Sequence, residues 1–127
     1  MYFSLHVYRL GLSGRCSAHG AAVNIIKAST WLSRAGGLLV RPTLKQGEVL
    51  WLTPCNAIHT FGMRYPIAVF FLDQQGQVIE VRPSVMPNRI AYCPSAHSVC
   101  EMLPINVDQT GVVSSLLSAG ILSKTAT

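Results

Sequence analysis

Residues Ile67–Val81 read IAVFFLDQQGQVIEV, and the fold of the chain follows from how this stretch is read. IAVFFL is β-branched and aromatic with apolar residues at every position, the pattern of a central strand covered on both sides. DQQG then supplies a hairpin loop: the Asp73 side chain can accept from backbone two residues on, and Gly76 takes a positive φ without a Cβ clash. In QVIEV the residues alternate, which predicts Ile79 and Val81 on one face and Glu80 on the other. Antiparallel pairing of Ile67–Leu72 with Gln77–Val81 is therefore the first expectation.

Working outward, AAVNIIKA (21–28) predicts a short strand. STWLSRAGGLL (29–39) predicts a helix of about two turns, capped by Ser29 or Thr30 and ended at Gly36–Gly37. EVLWLTP (48–54) predicts a strand stopped by Pro54, and AHSVCEML (96–103) another. VMPNRIAYCP (85–94) reads as a loop broken by Pro87 and Pro94. VVSSLLSAG (112–120) predicts a short helix with Gly120 as its C-cap. The sum is a mainly β domain, a small barrel or two-sheet sandwich of short, largely antiparallel strands with one or two short helices. Residues 1–20 lack a regular pattern and read as a loosely ordered N-terminal arm, which leaves 21–127 as one domain. Trp31 and Trp51 are expected in the core.

The totals narrow the function classes. The 127 residues are 50% hydrophobic and 12% charged, with a mean hydropathy of +0.37. This composition is globular, not disordered. No apolar run approaches the roughly 20 residues of a membrane-spanning helix. The N-terminus has neither a basic segment nor a continuous apolar one, so no signal peptide is expected and a cytoplasmic setting is favoured over export. Ten Lys and Arg against five Asp and Glu give a net charge of +5. No two basic residues are adjacent, which argues against a nucleic-acid partner; the excess leaves room for an anionic ligand. The four cysteines show no CxxC spacing, and free thiols are expected, with one bridge among Cys55, Cys93 and Cys100 left open.

Upstream of the hairpin, CNAIHTFGMRYP (55–66) concentrates the reactive side chains. Cys55 and His59, with His97 and Cys100, supply four potential zinc ligands. On a strand, however, residues four apart lie about 13 Å from one another, whereas zinc ligands meet within about 2.3 Å of one point. No metal and no cofactor are therefore expected. Cys55 with His59 is also a candidate thiolate–imidazolium pair, although no signature of a cysteine enzyme surrounds it. Paired-carboxylate chemistry is disfavoured, since Asp73 and Glu80 belong to the hairpin. A binding reading has more residues behind it. His59, Thr60, Arg64, Tyr65 and Arg89 are polar side chains beside the most apolar strand. The guanidinium of Arg64 suits a carboxylate or phosphate. The structural alternative pairs Arg64 with Glu101 or Asp73, or has it donate to loop carbonyls.

From about Ala28 to Met102 the chain resembles the bacterial and archaeal family known as domain of unknown function 192 (uncharacterised protein family 0127). The resemblance is carried by RAGGLLVRPTL, PCNAIHTFGMRYPIAVFFLDQQGQV, MPNR and VCEM. It implies a compact, mainly β sandwich or barrel and no particular activity. Two departures stand out: Ala68 where relatives commonly carry Asp after the Pro-Ile pair, and LPINVDQTGVVSSLL in place of a Gly-Asp-containing finish. If that acid serves a ligand site in relatives, this chain has altered it, and a C-terminal strand is less expected here. The leading expectation is a small anionic or polar ligand, or a protein segment, held near His59, Thr60, Arg64 and Arg89. The alternatives are a hydrolase-like enzyme using Cys55 and His59, and an interaction module that pairs through an exposed sheet edge.

Overall fold

The computed structural model describes residues 3–4, 8–18, 21–29 and 44–125, with side chains at 24–25 and 44–124. The strands are β1 (Phe3–Ser4), β2 (Tyr8–Ala18), β3 (Ala21–Ser29), β4 (Glu48–Thr53), β5 (Ala57–His59), β6 (Ile67–Leu72), β7 (Val78–Val85), β8 (Ile90–Tyr92) and β9 (Ser98–Met102). A 3-10 turn at Val107–Gln109 leads into the helix α1 (Thr110–Thr125). Of the predicted helix over 29–39, Ser29 is the last residue of β3 and the rest, with Trp31, falls outside the described residues. Within the segment read as an arm, the backbone of β2 pairs antiparallel with β3, and β1 lies parallel to β5.

The architecture is a sandwich, not a closed barrel. One sheet has six strands in the order β2-β3-β4-β9-β6-β7, the other three in the order β1-β5-β8. All pairings are antiparallel except β1 with β5 and β3 with β4. The period of two sorts the side chains of β4, β6 and β9 into two cores. Leu50, Leu52, Val69, Phe71 and Val99 meet Ile58 and Ala91 of the small sheet. Val49, Trp51, Phe70, Leu72 and Cys100 face the other way, onto Leu116, Leu117 and Ile121 of α1. Each residue of β6 is buried, so an apolar run without alternation is what a strand between two layers requires.

The hairpin forms as predicted, with one correction. The Asp73 carbonyl accepts from Gly76 N–H at 3.1 Å, and Asp73 N–H donates to the Gln77 carbonyl at 2.9 Å. Asp73 Oδ1 accepts from the N–H groups of Gln75 and Gln77, each at 2.9 Å. Gly76 has φ +81°. This is a three-residue loop closed by a left-handed glycine. The register then slips, from Leu72 opposite Val78 to Phe71 opposite Glu80. The bulge leaves Ile79 unpaired and exposed, so Val78 and Val81, not Ile79 and Val81, pack toward α1. Simple alternation fails where a bulge inserts one residue.

Two further expectations are overturned. The segment 85–94 is not all loop, because Ile90–Tyr92 forms β8 and pairs with β5; both strands are three residues long and carry no periodic signal. The C-terminal helix does not stop at Gly120 but runs to Thr125. Gly120 is buried beside Leu116, Leu117 and Ile121, so packing on the sheet outweighs the roughly 1 kcal/mol helix penalty of a glycine.

Candidate functional site

The residues from His59 to Arg64 leave β5, turn, and enter β6. Thr60, without accessible surface, organises this turn. Its carbonyl accepts from Met63 N–H at 3.2 Å, and Gly62, with φ +80°, occupies the position of a type II turn that demands a positive φ. The same carbonyl accepts from Asn88 N–H at 3.0 Å, while Thr60 N–H donates to the Arg89 carbonyl at 2.9 Å. The Thr60 hydroxyl donates to the Met86 carbonyl at 2.7 Å and accepts from Arg89 N–H at 2.9 Å. Thr60 thus ties the 59–64 turn to the 86–89 loop through both backbone and side chain. Asn88, itself left-handed at φ 62°, presents Oδ1 to Gly62 N–H at 3.4 Å.

His59 is buried at the end of β5. Its Nδ1 accepts from Phe61 N–H at 3.3 Å, and the Phe61 ring stacks on the imidazole with centroids 5.1 Å apart. Accepting at Nδ1 leaves the ring proton of the neutral imidazole on Nε2. Tyr65 is structural: its hydroxyl accepts from Leu44 N–H at 3.1 Å and anchors the chain entering β4.

The two arginines stand differently. Both are exposed. Arg89 makes one local side-chain bond, to the Asn88 carbonyl at 3.2 Å. Arg64 makes no hydrogen bond or ion pair among the described residues. The expected structural pairing of Arg64 with Glu101 or Asp73 does not form. Asp73 lies beyond the opposite end of β6, and Glu101 is enclosed in β9 between β4 and β6. The turn therefore brings His59, Thr60, Arg64 and Arg89 onto one loop pair. Thr60 serves as the frame, and the guanidiniums are its outward groups.

The other chemistries do not assemble. Cys55 belongs to the core between the sheets and Cys100 to the core under α1. The four candidate zinc ligands are thus split across a sheet, and among the described residues no three potential ligands gather. The Cys55 thiol donates to the Ala57 carbonyl at 3.1 Å, and His59 Nδ1 is engaged by Phe61. These bonds do not support a thiolate–imidazolium pair. Among the described residues, Cys55, Cys93 and Cys100 form no disulfide with one another.

Cys100 carries a pH dependence. Burial first, and the Glu101 carboxylate second, push its thiol far above the ordinary value of 9.0. The folded protein therefore keeps a proton that the unfolded chain releases. The stability this confers is complete below pH 9 and is lost as pH rises further, by about 1.4 kcal/mol per pH unit. Urea denaturation between pH 8 and 10.5 should show a steeper decline for the wild type than for Cys100→Ala. Parallel slopes would refute it.

A two-sheet β-sandwich backed by one helix, with a buried threonine clamping two surface loops, defines a small scaffold domain. The chain belongs to the family described as Uncharacterized ACR, domain of unknown function 192, whose model matches residues 15–114. Two solved structures are similar. A protein of unknown function from Novosphingobium aromaticivorans aligns with a TM-score of 0.58 at 16% identity, over 77% of this chain and 76% of that one. A protein from Sinorhizobium meliloti, described as a candidate transcription regulator, aligns with a TM-score of 0.57 at 15% identity, over 76% and 82%. At these identities the likeness is one of fold alone. No curated protein matches the chain.

Proposed function

We propose that the domain is a binding module whose loop pair takes an anionic group, a carboxylate or phosphate, between Arg64 and Arg89. The observation that carries this reading is an exposed Arg64 with no bond among the described residues, held four positions beyond a clamped threonine. The guanidinium fork matches two oxygens of a carboxylate or phosphate at once, which offsets the rotamer freedom the side chain loses on binding. The exposed side chains of Phe61, Met86 and Ile90, at 54%, 56% and 54%, flank the same loops. They favour a ligand with an apolar part, and they admit a second occupant, a protein segment bearing an acidic residue beside an apolar one.

A thermal-shift screen of anionic metabolites tests the first occupant. A ligand at 100 times its Kd stabilises by about 2.7 kcal/mol. That upshift should vanish in Arg64→Ala and fall in Arg89→Ala. Because Arg64 has no partner to strand among the described residues, Arg64→Ala alone should change stability by less than about 0.5 kcal/mol. A screen without a binder, or an upshift that survives both substitutions, sinks the small-ligand reading.

A further inference from the structure

At the opposite end of β6 from Arg64 lies a cavity of about 370 Å³, between the hairpin loop, the ends of β4 and β9, and the last turns of α1. Its lining is mixed in character: Trp51, Ile121 and Leu122 are largely apolar, and Thr53, Asp73, Gln74, Gln75, His97 and Ser98 are polar. We propose that this cavity is a binding site for a neutral polyhydroxyl ligand the size of one sugar ring. The proposal is independent of the arginine loops.

Three observations support it. First, the polar groups are available. Ser98 is only 2% exposed, yet its side chain makes no hydrogen bond among the described residues, and neither do those of Thr53, Gln74, Gln75 and His97. Asp73 uses Oδ1 for the turn and has Oδ2 to offer. Second, the described lining is mostly neutral. Among the described residues it holds one carboxylate, Asp73, and no Lys or Arg. Hydroxyl and amide groups, which both donate and accept, are matched by ligand hydroxyls that do the same. Third, a lining that mixes apolar and polar groups fits a sugar ring, whose C–H face is apolar and whose rim is polar. The volume sits at the low end of the ~300–1,000 Å³ typical of ligand sites, enough for a single ring.

The test is titration of the ¹⁵N-labelled full chain with glucose, galactose, mannose and ribose, followed by amide and indole N–H shifts. At least one sugar should move the Trp51 indole and the amides of Gln75, Gly76, Ser98 and Ile121. Gln75→Ala and His97→Ala alter exposed side chains and should leave the melting temperature unchanged. Each should weaken binding roughly tenfold. Arg64→Ala should leave it unchanged, which separates this site from the arginine loops. The proposal is overturned if no sugar shifts these signals, if the double variant binds as well as wild type, or if tetramethylammonium or acetate moves them and the sugars do not.

Discussion

Gly76→Val should destabilise the protein by about 2–5 kcal/mol in urea denaturation, from two additive sources. Gly76 holds φ +81°, a conformation that costs an L-residue about 1–2 kcal/mol. It also lies against α1: a Cβ built there falls 3.3 Å from Ile121 Cγ2. That contact is tighter than usual, and a branched side chain extends beyond it into a buried position. Overpacking of this kind costs about 1–3 kcal/mol. The two sources can be separated. Gly76→Ala combined with Ile121→Ala removes the obstructing methyl, and the pair should be less destabilised than the sum of its singles, by on the order of 1 kcal/mol. Strict additivity would show that the turn does not press on the helix. A loss below 1 kcal/mol for Gly76→Val would show that the glycine is dispensable.

Thr60→Val should cost about 2–4 kcal/mol. Valine preserves shape and removes only the hydroxyl. The change leaves the Met86 carbonyl and the Arg89 N–H without the partners they now have at 2.7 and 2.9 Å. In this partly buried setting each such loss falls in the lower part of the range of about 1–3 kcal/mol. Thr60→Ser keeps both bonds and forfeits a methyl, for about 1 kcal/mol. The clamp is refuted if valine proves as stable as serine. If the clamp holds, Thr60→Val should also weaken any anion bound at Arg64 and Arg89, because it loosens the frame that carries both.

The candidate site was only partly legible in the residues. His59, Thr60, Arg64 and Arg89 stand out as polar side chains beside an apolar strand, and the turn does join them to one loop pair. What each contributes was not legible. Thr60 is enclosed because residues 26 to 29 positions away supply its partners. Arg64 lacks the acidic partner that the sequence offers because Glu101 and Asp73 are carried elsewhere by their strands. Tyr65 stands among the candidate binding residues in the sequence, but its hydroxyl anchors Leu44.

By itself the sequence determined what rests on neighbouring residues. The apolar run of β6, the Asp73–Gly76 turn, β3, β4 and β9, and hence a mainly β fold, all follow from side-chain period and turn chemistry, which act within a few positions. The tertiary structure alone decided what depends on distant partners. It set the choice of sandwich over barrel, the three-residue strands β5 and β8, the bulge that turns Ile79 outward, and the passage of α1 through Gly120. Likewise the cavity is assembled from β4, the hairpin loop, β9 and α1, segments that meet only in the folded chain. The physical reason is common to all of these. Short strands and buried glycines have weak local preferences, so the burial of apolar surface and the pairing of backbone groups across the fold outweigh them.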